Sequence, residues 1–152
     1  MNKILSEIAV TSFSVREFQF PEDYLAVFKL WSEAGPGIHL RRSDERDEIA
    51  KKLLRDADLF LVAEAGGEII GSVLGGFDGR RGMVYHLAVA EGFREQGIGV
   101  VLMEALEKRL REKGCIRYYL LVTKDNQTAI RFYEKQGWKQ MDDLFLYAKD
   151  IP

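Results

Sequence analysis

Two glycines at the start of a long amphipathic segment have the spacing that most directly suggests chemistry in this chain. An apolar run ends at Val89, and the connection after it contains Arg94, Gly97 and Gly99. A helix that begins at Gly97 leaves backbone N–H groups uncovered in its first turn, where the helix dipole favours an anion. A phosphate-bearing ligand is therefore the first hypothesis. The alternative is that these glycines only allow a strand and a helix to pack closely.

The neighbouring residues exclude two common phosphate-binding loops. A Walker loop requires Lys followed by Ser or Thr after its last glycine, and Val100 and Val101 occupy those positions. A dinucleotide-binding fingerprint requires a third small residue, and Leu102 stands in that place. Another type of phosphate-binding loop has to be considered.

The loop resembles the pyrophosphate loop of the GNAT family of acyl-CoA-dependent N-acyltransferases, in which Arg/Gln-x-x-Gly-x-Gly/Ala follows a strand. A second block, residues 126–138, is similar to the Asn-x-x-Ala-x-x-Phe-Tyr-x-x-x-Gly-Phe/Trp signature of the same family. The resemblance extends over residues 14–149. Within it, residues 59–64 and 75–82 resemble a small bacterial branch of the family whose substrate is unsettled. The residues that match the second block are Asn126, Ala129, Phe132, Tyr133, Gly137 and Trp138.

The resemblance implies that acetyl-CoA is the co-substrate and that it binds where two parallel strands, residues 83–89 and 116–123, splay apart. Backbone groups of Leu87 and Val89 would pair with the pantetheine arm as a strand does. The pyrophosphate would lie on the N–H groups of residues 95–100. The resemblance thus assigns cofactor contacts to Leu87, Ala88, Val89, Arg94, Glu95, Gln96, Gly97, Ile98, Gly99, Val100, Asn126 and Tyr133.

Tyr133 is the predicted catalytic residue. A thiol has a pKa near 8.5 and a phenol one near 10, so a tyrosine stays protonated at neutral pH and can donate to a departing thiolate. The resemblance assigns this general-acid role to Tyr133, whereas its position alone is more typical of a core aromatic. Asn126 has a similar alternative as a helix N-cap. Because the family transfers the acyl group directly to an amine, Cys115 is not needed as a nucleophile, and we expect it to be a buried structural thiol.

The general base of the family has no clear counterpart. Members of different branches carry an acid at the positions of Leu121, Met83 and Tyr85, and none of these three side chains accepts a proton at neutral pH. A non-catalytic acyl-CoA-binding or regulatory module is therefore the alternative function. By strand alternation, His86 should lie on the opposite face from Tyr85, Leu87 and Val89. The remaining base candidates are His86, Asp78, Glu91 or a chain of water molecules, and the predicted substrate contacts are Tyr85, Asp78 and Arg41.

Composition restricts the remaining function classes. The chain has 152 residues, a net charge of −2, 47% hydrophobic and 30% charged residues, as is ordinary for one globular domain. No apolar stretch is long enough for a membrane span or a signal peptide. The single cysteine excludes an internal disulfide, and we expect a cytoplasmic protein. The expected acceptor is a small-molecule amine or a protein N-terminus; a homodimer stays open, and no nucleic acid, membrane or metal is expected.

Hairpins first and helix–strand alternation later predict an α/β (mixed α+β) fold. The resemblance implies the GNAT fold, a central mixed, mostly antiparallel sheet that is splayed between its fourth and fifth strands and has helices on both faces. Residues 1–13 are predicted to be an N-terminal extension and residues 14–152 a single domain. Leu25 and Leu54 are among the helix residues expected to face inward. The predicted strands are 14–18, 59–65, 68–77, 83–89, 116–123 and 144–149, and the predicted helices are 21–33, one capped by Ser43 or Asp44, 97–113 and 127–136.

Overall fold

The computed structural model describes residues 12–35 and 37–152. Most of the predicted N-terminal extension therefore lies outside the described residues. The chain forms two compact units, one that ends at Leu121 and one that comprises Val122–Pro152. The first unit contains strands β1 (Ser14–Glu17), β2 (Phe60–Ala65), β3 (Glu68–Phe77), β4 (Gly82–Val89) and β5 (Tyr118–Leu120), with helices α1 (Tyr24–Ser32), α2 (Arg46–Asp56) and α3 (Ile98–Glu112); the second contains helix α4 (Gln127–Lys135).

The five strands form one sheet in the order of the sequence. Every neighbouring pair is antiparallel except β4 and β5, which are parallel. The β2–β3 hairpin turns through Gly66 and Gly67, whose φ angles of 58° and 81° suit a tight turn. These features confirm the predicted mixed, mostly antiparallel sheet.

Helices pack on both faces of the sheet in the first unit. On one face, a Cβ at Gly71 would lie 3.1 Å from the Leu102 side chain of α3. The next residue, Ser72, points to the other face, where its hydroxyl accepts a 3.0 Å hydrogen bond from Trp31 Nε1 of α1. The absence of a side chain at Gly71 thus allows α3 to approach the sheet closely.

In α1 and α2, fewer apolar side chains are buried than the helical periodicity predicts. Trp31 and Ile49 are buried as expected, but Leu25 is 70% and Leu54 is 90% exposed. The prediction that both leucines face inward was wrong, because each helix buries only a narrow stripe against the sheet. Helix α2 begins after Glu45 rather than after Ser43 or Asp44.

The predicted strand at residues 144–149 is wrong, since residues 138–152 contain no regular strand or helix. Leu144 and Phe145 in that segment are 63% and 89% exposed. Apolar, β-prone side chains are insufficient without a hydrogen-bonded neighbour. Strand β5 is likewise shorter than predicted and covers only Tyr118–Leu120. Among the described residues, no helix has both the length and the apolar character needed to cross a membrane.

Candidate active site

The connection between β4 and α3 has the backbone conformation expected of an anion-binding loop. Glu95 has a φ of 62°, unusual for a residue with a side chain, and Gly97 at the N-cap of α3 has a φ of 82°. Left-handed residues near a helix start can direct successive N–H groups toward one point. A Cβ on Gly97 would meet nothing within 4 Å, so the space beside it is open. A positive φ at an exposed residue with a side chain, such as Glu95, is typical of a functional loop.

The first turn of α3 strengthens this loop as an anion site. The helix is 15 residues long and has no acidic residue in its first turn, so no side chain of that turn neutralises its positive end. Ile98 is 1% exposed and anchors the turn in the core. The predicted residues Gln96, Gly99 and Val100 lie in the same segment, where Gly99 and Val100 contribute N–H groups of the first turn.

Arg94 uses its side chain to fix the end of β4. Its Nε donates a 3.1 Å hydrogen bond to the carbonyl oxygen of Val89, and a terminal nitrogen lies 3.4 Å from the carbonyl oxygen of Ala34. The guanidinium therefore links the ends of β4 and α1 beside the loop.

The edge of β4 beyond β5 presents backbone groups away from β3. Residues Leu87 and Val89 stand opposite Val73 and Gly71, and the adjacent pair is hydrogen-bonded from the Ala90 N–H to the Ile70 carbonyl. Because hydrogen-bonded and non-bonded pairs alternate in an antiparallel ladder, the peptide groups of residues 87 and 89 point away from β3. Those of Ala88 point into the ladder. Strand β5 pairs with β4 only through residues 82–84, so the sheet opens beyond that point as predicted.

A β-bulge lies where the sheet begins to open. His86 is paired with Leu74 and Val84 with Gly75, which leaves Tyr85 as an extra residue in β4. A bulge interrupts the alternation of faces, so Tyr85 and His86 lie on the same face of the sheet. The prediction that they lie on opposite faces was wrong. Adjacent glycines at positions 75 and 76 of the opposing strand were the available signal, because glycine within a strand often marks a bulge.

His86 is engaged in a partly buried hydrogen-bond network. Its Nε2 lies 2.8 Å from Asp44 Oδ1, and its ring packs edge-on against Trp31 at 4.8 Å between centroids. The other oxygen of Asp44 accepts a 3.0 Å hydrogen bond from the Arg41 N–H. Burial alone raises the pKa of Asp44, but the hydrogen bonds from His86 and Arg41 outweigh it and keep the pKa below its usual value. His86 thus connects β4 to the loop before α2, and the Arg41 side chain remains exposed.

Asp78, a predicted substrate contact, organises the β3–β4 turn. Its Oδ1 accepts 2.8 Å hydrogen bonds from the N–H groups of both Arg80 and Arg81. These bonds keep the pKa of Asp78 below its usual value. The carboxylate therefore fixes the turn that carries the two arginines. Glu91, another candidate base, opens the short turn after β4 and is exposed.

The second unit contains the remaining two predicted site residues. Asn126 caps α4, and its Oδ1 accepts a 3.2 Å hydrogen bond from the Ala129 N–H. This cap does not use the Asn126 amide donors. Tyr133 lies on α4 with its ring 5.2 Å from that of Phe132 and 6.0 Å from that of Trp138. Burial raises the pKa of Tyr133 to about 12, so the phenol is protonated throughout the physiological range.

Cys115 is half-buried rather than fully buried, and its Sγ donates a 3.2 Å hydrogen bond to the Arg117 carbonyl. Across residues 12–35 and 37–152, His, Cys, Asp and Glu side chains do not gather in any group of three that suits a metal ion.

Comparison with known proteins gives a consistent result. The family model described as "Acetyltransferase (GNAT) family" matches residues 24–138. An acetyltransferase of Pectobacterium atrosepticum is 43% identical over 125 residues, which are 82% of this chain and 87% of that protein. The crystal structure of Ard1 from Thermoplasma volcanium is 28% identical with a TM-score of 0.72 and covers 82% of this chain and 81% of its own. The PaiA N-acetyltransferase from Thermoplasma acidophilum, solved with coenzyme A, is 22% identical with a TM-score of 0.70 and shares the fold over 84% of this chain and 90% of its own.

Proposed function

This chain belongs to the GNAT family of acetyltransferases and is an acyltransferase, and we propose that it transfers an acetyl group from acetyl-CoA directly to a primary amine. The proposal rests on one observation, that a loop suited to a pyrophosphate and a strand edge suited to a pantetheine arm lie next to each other in the first unit. The loop at Glu95–Gly97 and the first turn of α3 offer N–H groups to a pyrophosphate. The adjacent edge of β4 offers the peptide groups of Leu87 and the N–H of Val89 to a pantetheine arm, while the Val89 carbonyl accepts its hydrogen bond from Arg94.

A ligand bound in this way has a defined direction. Its phosphates lie at the C-terminal end of β4, so the pantetheine arm runs back along the strand. The thioester then reaches the Tyr85 bulge, beside the last pair between β4 and β5, Val84 and Leu120. The amine attacks the thioester carbonyl carbon there, the C–S bond breaks, and CoA leaves as a thiolate.

Tyr133 is the proposed proton donor to this thiolate. The support is its match to the family signature and its phenol, which burial keeps protonated. Because a pKa of about 12 lies well above that of a thiol, near 8.5, the phenol acts first as a hydrogen-bond donor to the developing charge. The proton that it delivers is replaced from solvent.

The acceptor must lose a proton before it attacks, and the positions at which other branches carry an acid hold no side chain that accepts one at neutral pH. Met83 and Tyr85 replace the acids of other branches, and Nε2 of His86 is bound to Asp44. An α-amine has a pKa near 7.7–8.0, against about 10.4 for a lysine amine, so far more of it is neutral at pH 7. The proposed acceptor is therefore an α-amine, on a small molecule or at a protein N-terminus.

Titration calorimetry and CoA release test the proposal together. Acetyl-CoA should bind, ATP should not compete, and a panel of amines should release free thiol with α-amines faster than ε-amines at pH 7. Binding without release from any amine would instead favour the non-catalytic acyl-CoA-binding module. Faster acetylation of lysine side chains or polyamines at pH 7 would mean that an unidentified base operates.

A further inference from the structure

A second surface of the first unit lies on the same face of the sheet as Tyr85. Met83 pairs with Gly76 of β3 and with Tyr119 of β5. A Cβ on Gly76 would lie 3.2 Å from the Tyr85 ring and 3.5 Å from Lys52 Nζ of α2, so this position faces α2. Paired residues share a face. The side chains of Met83, Tyr85 and Tyr119 therefore lie together on the α2 side of the sheet as a mainly aromatic and apolar floor, with Lys52 Nζ near its Tyr85 end.

Two arginines lie over the far end of this floor. The guanidinium carbons of Arg81 and Arg117 are 5.8 Å and 5.4 Å from the centre of the Tyr119 ring. Contacts of this kind orient a guanidinium over the ring. The floor therefore ends in a pair of oriented cations, and we call Met83, Tyr85, Tyr119, Arg81 and Arg117 the arginine-ended floor.

The backbone holds both arginines in place. Asp78 fixes the turn before Arg81, and the Gly82 N–H donates a 3.0 Å hydrogen bond to the Arg117 carbonyl. The surrounding charge is positive as well, since Arg55 and Arg80 lie near the same turn, where their charges help to lower the Asp78 pKa. Asp78 is the acid of this turn, and its Oδ1 already accepts two backbone bonds.

We propose that the arginine-ended floor binds a carboxylate of the acceptor, and that the acceptor is a peptide N-terminus with an acidic third or fourth residue. This inference rests on the proposed function, which brings the amine to Tyr85. Tyr85 lies four positions after Arg81, which precedes β4, so extended backbone separates them by about 13 Å with Met83 about halfway. An extended peptide covers the same distance in about three or four residues. A free amino acid is too short, because its amine and carboxylate are attached to the same carbon.

Matched peptides with free N-termini test the proposal by CoA release in the intact protein. Peptides with Glu, Gln or Lys at the third or fourth position should differ in kcat/KM, with Glu favoured over Gln by about fivefold to tenfold. The difference should lie mainly in KM and should shrink as salt is raised. Moving the Glu to the eighth position should abolish the advantage.

A charge reversal locates the contact. Arg81→Glu should invert the preference so that the Lys peptide becomes the better substrate, while Lys108→Glu, at an exposed position of α3, should keep the wild-type order. If Arg81→Glu unfolds, Arg81→Gln serves in its place and should remove the Glu preference. Equal kcat/KM for Glu and Gln peptides in the wild type, or an unchanged order in a folded Arg81 variant, overturns this inference and leaves the proposed function standing. Failure of every peptide and amine tested to release CoA from acetyl-CoA overturns the proposed function instead.

Discussion

Gly97 matters for its backbone more than for any contact that it makes. Its φ of 82° lies in the region that glycine adopts without strain, and the space where a Cβ would point is open. Gly114 at the other end of α3 has a φ of 86° and equally open space. The two glycines therefore have the same conformational requirement, and only Gly97 lies at the positive end of the helix dipole.

Alanine variants of Gly97 and Gly114 separate the contribution of Gly97 to acetyl-CoA binding from the effect of backbone strain. Gly97→Ala and Gly114→Ala should each lower the free energy of unfolding by about 1–2 kcal/mol, because alanine is strained at positive φ. Only Gly97→Ala should weaken acetyl-CoA binding, by about tenfold or more, since it displaces N–H groups that bind a charged phosphate. Calorimetry and chemical denaturation of both variants check this. Equal acetyl-CoA affinity in the two variants would exclude the loop from the site.

Tyr133 differs from the exposed tyrosines in that burial raises its pKa to about 12. Tyr133→Phe keeps the ring and removes the hydroxyl, so kcat should fall by about 10²-fold or more while acetyl-CoA affinity changes only a few-fold. Because the folded-state pKa is raised, the wild type should lose no rate through ionisation of Tyr133 up to about pH 10.

Steady-state kinetics across pH check both the loss of kcat in Tyr133→Phe and the pH profile of the wild type. Tyr147→Phe, at a side chain that is 89% exposed, is the control. Full activity of Tyr133→Phe would assign the protonation to water.

At the scale of elements, the packing of α3 on β3 sets the geometry of the candidate site. A Cβ on Gly75 would lie 2.5 Å from a methyl carbon of Leu106 and 3.2 Å from the carbonyl oxygen of Leu59. Leu106 is completely buried, so its side chain has little room to move. Helix α3 therefore lies as close to β3 as a glycine permits, and this fixes where its N-terminus meets the end of β4.

Gly75→Ala should consequently destabilise the protein by about 1–3 kcal/mol through overpacking. Gly92→Ala, where a Cβ would meet nothing within 4 Å, should change stability by no more than about 0.5 kcal/mol. Urea denaturation of the two variants checks the prediction. A Gly75→Ala variant as stable as the wild type would show that α3 shifts away from the sheet at little cost.

Local signals predicted α3 well, whereas features that depend on a partner strand were missed. The periodic apolar residues and the glycines at positions 97 and 114 placed the ends of the helix within one residue of Ile98–Glu112. The bulge at Tyr85 depends on the register between β3 and β4, which a single strand does not encode. The predicted strand at 144–149 failed for a related reason, because its apolar residues match strand propensity without specifying a partner.

At the scale of the whole molecule, the network around Asp44 connects elements that are distant in the sequence. It runs from Ser72 of β3 through Trp31 of α1 to His86 of β4 and then to Asp44 before α2. The Tyr24 hydroxyl adds a 3.1 Å hydrogen bond to the Asp44 carbonyl. Asp44 is 5% exposed, so its charge depends on these partners rather than on water.

Asp44→Asn should therefore show a pH-dependent loss of stability. Folding lowers the pKa of this carboxyl below its usual value, so the carboxylate contributes stability above about pH 4 and loses that contribution as the pH falls further. At pH 7 the variant should be less stable by about 1–3 kcal/mol, and the difference from the wild type should narrow toward pH 3. Urea unfolding followed by circular dichroism at both pH values measures it, with the exposed Asp142→Asn as the control. A difference that stays constant between pH 7 and pH 3 would mean that the Asp44 side chain acts through its shape and not through its charge.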